Sequence, residues 1–242
     1  MRLLLILKAA LFSVFLVLGS ANWSWLAIFI IAALYFYFRE SWNRSRFFSS
    51  FVILLSSSVL SVWRLAGQSS PLLFAAAVIF GILFFILLGV KNFIFVHRLL
   101  PYYFLSSFLL LAVFLLFFSV DKSNLLTAEY LLVGLSAFLL YREFLLFNSE
   151  SSPSLLQTPL ITRKNLIAFA LAFLTFQLVW VVSLLPLGFL NSASLLLLFA
   201  LLFEDLLLHN WNGTLTRQII LRNMTFLLLI GLVIFAFSKW TP

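Results

Sequence analysis

The chain has 242 residues, of which 64% are hydrophobic and 9% charged, and its formal net charge is +8. With a mean hydropathy of +1.20, it carries more apolar surface than a globular domain of this size can bury, which excludes a water-soluble fold. The basic residues are spread over short segments instead of forming a cluster, which argues against nucleic-acid binding. The lack of cysteine excludes disulfides and thiolate chemistry, and two histidines are too few for a histidine-rich metal centre.

Nine apolar runs follow one another along the chain, and each approaches the roughly 20 residues that a helix needs to cross a bilayer core. The runs are 3–18, 23–38, 47–63, 71–90, 101–120, 125–147, 166–187, 190–208 and 224–238. They are continuously apolar, whereas strands of a membrane barrel alternate between apolar and polar residues. The sequence therefore predicts an all-α integral membrane protein, a polytopic bundle of about nine transmembrane helices.

The first run has two interpretations. Residues 1–21 contain Arg2, an apolar core and the small residues Gly19-Ser20-Ala21, a pattern that is typical of a cleaved signal peptide. Lys8 interrupts the core, which favours an uncleaved first helix. Cleavage would leave eight helices and would not change their orientation.

The longest polar stretch, residues 148–165, is rich in serine and contains Pro153 and Pro159. This composition is typical of a flexible linker with little structure of its own, here on the cytoplasmic side. Since this stretch is also too short to form a soluble domain, residues 1–242 are predicted to form a single transmembrane domain.

The basic residues predict the orientation of the chain in the membrane. If the N-terminus is inside, twelve of the 15 Lys and Arg residues lie on the cytoplasmic side, and only Arg64, Lys122 and Lys239 lie outside. Cytoplasmic segments of membrane proteins carry an excess of positive charge. We therefore expect a plasma (inner) membrane protein with a cytoplasmic N-terminus and an external C-terminus.

Two segments near the cytoplasmic side resemble each other. Residues 139–148 read LLYREFLLFN and residues 201–210 read LLFEDLLLHN, and each is followed by a basic turn that ends in asparagine, at Asn165 or Asn223. One interpretation is a chain built from repeated helical hairpins, an arrangement found in some transporters. The other is that helices rich in leucine and phenylalanine resemble each other through composition alone.

Five polar side chains lie inside or at the inner ends of apolar runs, where a charge is costly. They are Arg142, Glu143, Glu204, Asp205 and His209. We predict that they form a binding pocket in the inner leaflet that opens to the cytoplasm, with Arg142 level with Glu204 or Asp205. Asp205 and His209 are four residues apart and therefore share a helix face. The alternative is an ion pair between helices together with interfacial charges that perform no chemistry.

Three functions fit these features. The sequence favours a small permease or a membrane subunit of a larger complex, surrounded by the lipid bilayer and other membrane subunits. The alternatives are an intramembrane enzyme that acts on a lipid-linked substrate, with Glu204, Asp205 and His209 as acid–base groups, and a structural scaffold. The chain lacks the phosphate-loop, zinc-protease and serine-hydrolase motifs, so no catalytic residue, cofactor or metal is predicted.

Overall fold

A computed structural model describes residues 2–39, 47–65, 70–92, 99–119, 128–151, 160–211 and 213–237 of the chain. Within these ranges every regular element is an α-helix, which confirms the predicted all-α bundle. The helices are α1 (Arg2–Gly19), α2 (Trp23–Phe38), α3 (Phe48–Leu65), α4 (Ser70–Lys91), α5 (Leu99–Phe118), α6 (Ala128–Ser151), α7 (Leu160–Ser183), α8 (Phe189–Trp211) and α9 (Arg217–Phe237). Seven of them, α3 to α9, are long and apolar enough to cross a membrane, while α1 and α2 are shorter apolar helices.

Several helix boundaries differ from the predicted runs, and the start of α9 and the end of α7 have identifiable reasons. Helix α9 begins at Arg217 instead of residue 224, because its first turn is polar and is capped by Thr216. The Thr216 carbonyl accepts a hydrogen bond from the amide of Ile220 at 3.2 Å, and its hydroxyl accepts one from Ile219 at 3.4 Å. Helix α7 ends at Ser183, short of residue 187, because Pro186 disfavours a helical conformation in the residue before it.

The connections after α6 and α8 are short. Helix α6 continues to Ser151 and α7 begins at Leu160, so both extend into the predicted linker 148–165, and residues 152–159 of that linker lie outside those described. Between α8 and α9, Gly213 has a φ of +66°. Glycine adopts this left-handed conformation without the steric cost that a Cβ atom imposes.

The chain divides into two compact units. The first unit comprises Met1–Leu109 and Glu143–Pro153, and the second comprises Leu110–Arg142 and Ser154–Pro242. Helices α5 and α6 therefore contribute residues to both units. The single transmembrane domain inferred from the sequence stays a prediction.

In the first unit, α1 packs closely against α4. The ring of Phe12 stacks on Phe84 with 4.4 Å between centroids, and the Ser13 hydroxyl donates to the carbonyl of Ala77 at 3.0 Å. A Cβ atom on Gly81 would overlap the Ser13 hydroxyl and lie 3.3 Å from the carbonyl oxygen of Ala9. The absence of a side chain at Gly81 thus permits the close approach of the two helices, as small residues commonly do in membranes.

In the second unit, α8 packs against both α7 and α9. Its inward face includes Ser192, Leu196, Ala200 and Glu204, which are all buried. Only 6% of the α9 span is buried, compared with 39% of the α8 span. Apart from the face that packs against α8, most of α9 is therefore exposed within the described part of the chain.

Candidate functional site

The structure places the five predicted site residues in different surroundings. Glu143 belongs to the first compact unit, whereas Arg142, Glu204, Asp205 and His209 belong to the second. Glu143 and Glu204 are buried, and Arg142 is exposed.

Glu143 is held by hydrogen bonds from two other helices. Its carboxylate accepts hydrogen bonds from the Ser50 amide at 3.1 Å, from the Ser50 hydroxyl, and from the Tyr102 hydroxyl at 3.0 Å. The side chain is only 5% exposed. These donors take the place of the water that the carboxylate loses on burial.

The position of Ser50 explains why a carboxylate is suited to this place. Ser50 lies in the first turn of α3, which begins at Phe48. Amides in the first turn have no acceptor within their own helix, and the aligned peptide dipoles create a partial positive charge there. Glu143 of α6 therefore caps the N-terminus of α3, and this contact compensates for the burial of its carboxylate.

Aromatic rings cover the Glu143 cap. The rings of Phe47 and Tyr102 lie 5.3 Å apart, and the ring of Phe147 lies 5.4 Å from Phe47 and 4.9 Å from Tyr102. This packing keeps water away from the three donors, which strengthens their hydrogen bonds to the carboxylate.

A buried lysine lies in the same unit, at the end of α4. The Lys91 ammonium donates a hydrogen bond to the carbonyl of Tyr37 and lies 3.7 Å from the centroid of the Tyr37 ring. Lys91 is 6% exposed. A carbonyl and a π face both favour a cation, so the contact stabilises the lysine and joins α4 to α2.

Glu204, in the second unit, has no comparable partners. Its side chain is 1% exposed, and within the described residues neither carboxylate oxygen has a hydrogen-bond partner. It lies seven residues before the end of α8 at Trp211, about 10 Å along the helix axis. A buried carboxyl group without hydrogen bonds is costly and calls for an explanation other than stability.

Two hydroxyl groups are buried in the same unit as Glu204 and lie within hydrogen-bond distance of each other. The Tyr141 hydroxyl is 3.2 Å from the Thr175 hydroxyl, which itself donates to the carbonyl of Leu171 at 2.9 Å. Because the Thr175 proton is engaged in this way, Tyr141 is the donor of the pair. Tyr141 also interacts electrostatically with Glu204. Neither hydroxyl is predicted from the sequence, since a tyrosine or threonine inside an apolar run gives no distinct signal.

A second polar cluster lies at the exposed end of α8. One Asp205 carboxylate oxygen is 3.7 Å from Nε2 of His209, and the other accepts a hydrogen bond from the Asn223 amide. Nδ1 of His209 lies 3.0 Å from the Thr214 hydroxyl. The side chains of His209 and Asp205 are 30% and 37% exposed. This cluster is therefore partly exposed, while Glu204, the residue next to Asp205, is buried.

Arg142 contacts Asn165 and not a carboxylate. Its Nε donates to the side-chain oxygen of Asn165 at 3.1 Å, and no ion pair joins it to Glu204 or Asp205 within the described part of the chain. The predicted basic turns are wrong, because Asn165 lies within α7 and Asn223 within α9. Each asparagine nevertheless bonds a charged residue of the preceding helix, Asn165 to Arg142 and Asn223 to Asp205. The repeat of whole hairpins stays a prediction.

No model of a known family, no curated protein and no solved structure matches the chain. The class of protein is defined by the fold alone: a helical membrane protein with several spans. Among the described residues, no three His, Asp or Glu side chains cluster in a way that would hold a metal ion. The chemical feature that remains to be explained is the carboxyl group of Glu204.

Proposed function

We propose that this chain is a small permease that carries protons across the plasma membrane, and that Glu204 is the group that carries the proton. The observation that supports the proposal is the burial of the Glu204 carboxyl group inside a membrane span without a hydrogen-bond partner among the described residues. Ionisable side chains inside membranes commonly mark proton or ion pathways.

The comparison with Glu143 supports a functional reading of Glu204. An ionised side chain at the centre of a membrane helix costs at least about 2.5–3.5 kcal/mol. At Glu143, three hydrogen-bond donors and the N-terminus of α3 offset this cost. At Glu204 nothing in the described surroundings offsets it. A carboxyl group with no fixed partner can exchange its proton without breaking existing hydrogen bonds, as a carrier requires.

Asp205 and His209 provide the route between Glu204 and water on one side of the membrane. They lie at the exposed end of α8, and Asp205 adjoins Glu204 in the chain. Carboxylate and imidazole groups are the side chains that most often transfer protons in proteins. The positive-inside rule predicts that this end of α8 is cytoplasmic, so we expect the pair to exchange protons with the cytoplasm.

We assign Tyr141 and Thr175 to the step of the proton path that follows Glu204. Their hydroxyl groups are hydrogen-bonded to each other and buried within the second unit. Hydroxyl groups both donate and accept hydrogen bonds, so they can pass on a proton that Glu204 releases. Ser192, on the inward face of α8, is a third buried hydroxyl and has no hydrogen-bond partner within the described residues.

Proton flux into vesicles tests the proposal. The purified chain is reconstituted into liposomes that contain a pH-sensitive dye, and a potassium gradient with valinomycin provides the driving force. We expect flux above that of protein-free vesicles. Glu204→Gln keeps the size and polarity of the side chain but cannot release a proton, so it should lower the flux by about 100-fold.

Glu129→Gln is the matched control, because Glu129 is a half-buried acid in the first turn of α6 in the same unit. This variant should retain the flux of the unmodified chain. Equal flux through Glu204→Gln and the unmodified chain, at equal amounts of inserted protein, would refute the proposal.

A second candidate is a membrane subunit of a larger complex, and the exposure of α9 favours it. Only 6% of the α9 span is buried, the lowest value among the seven spans. A helix of a partner protein could cover this apolar surface in place of lipid. The flux assay separates the two candidates, because a subunit that depends on its complex would show no flux above protein-free vesicles when purified alone.

A further inference from the structure

A groove of about 580 Å³ opens between α6 and α7 in the second unit. Its lining is wholly apolar and includes Leu131, Gly134, Leu135, Phe138, Phe169 and Phe173. Several of these side chains are exposed, among them Leu131 at 71% and Phe169 at 66%. The groove therefore opens to the surroundings of the helices and is not an enclosed cavity. Its volume lies within the range of about 300–1,000 Å³ that is usual for ligand pockets.

The groove lies within the membrane-spanning parts of both helices. On α6 it covers residues 131–138, which are about 4–15 Å along the axis from the helix start at Ala128. On α7 it covers residues 169–176, about 10–21 Å from the helix end at Ser183. Half of a bilayer core is about 15 Å thick, so the groove extends through much of one leaflet.

Hydroxyl contacts join the two helices that line the groove. They are Tyr130 to Ser183 at 3.1 Å and Tyr141 to Thr175 at 3.2 Å. These bridges lie on either side of the α6 part of the groove. A preformed groove lowers the entropic cost of binding a ligand.

Gly134 gives the groove its depth. A Cβ atom at this position would lie 3.6 Å from the ring of Phe176 on the facing helix. Any larger side chain on Gly134 would therefore extend into the space between the helices.

We infer that this groove binds an acyl chain of a membrane phospholipid. Its lining offers no polar group to a ligand, and its position inside the membrane leaves hydrocarbon as the surrounding medium. A single acyl chain is apolar, flexible and long enough to follow the groove through one leaflet. At the end nearest the membrane surface, the Tyr130 and Ser183 hydroxyls lie where the polar part of the lipid begins, a depth at which tyrosine is enriched. The inference does not depend on proton transport by Glu204.

Photo-labelling of the unmodified chain tests this site. The chain is reconstituted into vesicles of phosphatidylethanolamine and phosphatidylglycerol that contain a phosphatidylcholine with a diazirine in one acyl chain. After illumination, labelled peptides are identified by mass spectrometry. We expect labels to concentrate on residues 131–138 and 169–176, although α9 is the more exposed helix. Labelling in proportion to exposure, with α9 the most heavily labelled, would overturn the inference.

Gly134→Leu fills the groove and should reduce labelling of residues 131–138 and 169–176 by about tenfold, because the acyl chain loses the contacts of several methylene groups. Gly231→Leu on α9 is the matched control, since a Cβ atom there has no neighbour within 4 Å, and it should leave this labelling unchanged. If Gly134→Leu does not fold, the distribution of labels on the unmodified chain decides the question. Unchanged labelling in a folded Gly134→Leu variant would exclude the groove as the binding site.

Discussion

Glu143→Leu is expected to lower the free energy of unfolding by about 3–5 kcal/mol, as is usual when one partner of a buried charged contact is removed. Leucine fills a similar volume but accepts no hydrogen bond. The Ser50 amide, the Ser50 hydroxyl and the Tyr102 hydroxyl would all lose their acceptor, and the N-terminus of α3 would lose its negative cap. Titration with sodium dodecyl sulfate in mild-detergent micelles, followed by circular dichroism, measures the change.

Two further variants show how much the charge of Glu143 and a single hydrogen-bond donor contribute to the stability of the cap. Glu143→Gln keeps one acceptor oxygen but loses the charge, so it should be less destabilising than leucine. Tyr102→Phe removes a single donor and should cost about 0.5–1.5 kcal/mol. A Glu143→Leu variant as stable as the unmodified chain would show that the cap does not stabilise the first unit.

Replacing Glu204 with leucine is expected to raise the free energy of unfolding, whereas the same substitution at Glu143 lowers it. Glu204→Leu removes a buried polar group that has no hydrogen-bond partner within the described residues, and leucine suits the apolar interior of the span. An unsatisfied buried polar group costs about 1–3 kcal/mol, so the variant should be more stable than the unmodified chain by about that amount. The same titration that is used for Glu143→Leu measures it.

The contrast between the two glutamates distinguishes a structural carboxylate from a functional one. Residues that serve function often reduce stability, and replacing them raises it. We therefore expect Glu204→Leu to stabilise the chain while it abolishes proton flux. A loss of stability similar to that of Glu143→Leu would indicate that Glu204 has a structural role.

The sequence was sufficient to predict the helices because hydropathy is a local property. Each of the nine apolar runs corresponds to one helix of the described structure. The predictions failed at helix ends with polar first turns, as in α9, where a count of apolar residues passes over Arg217 and Arg222 although both lie within the helix. The start of α9 is set by the N-cap residue Thr216, and a hydropathy profile does not detect a capping residue.

The surroundings of the candidate site could be predicted only in part. Charges inside apolar runs draw attention to Glu143 and Glu204, and both side chains are buried. The hydrogen-bond partners of Glu143 could not be predicted, because Ser50 lies 93 residues away in the chain and nothing in its neighbourhood indicates a contact with a carboxylate. The hydrogen bonds of Asn165 to Arg142 and of Asn223 to Asp205 were not predicted either.

The reactivity of a thiol at position 204 is a direct test of whether Glu204 exchanges protons with the cytoplasm. The chain has no cysteine, so Glu204→Cys introduces a single thiol, and Leu195→Cys places one at a buried position on the opposite face of α8. Both variants are exposed to a small membrane-impermeant methanethiosulfonate in oriented vesicles, from one side at a time. If Glu204 exchanges protons with the cytoplasm, the thiol of Glu204→Cys reacts from the side on which His209 lies, and faster than that of Leu195→Cys. Equal and negligible reaction of both thiols from either side would contradict the exchange of protons between Glu204 and the cytoplasm.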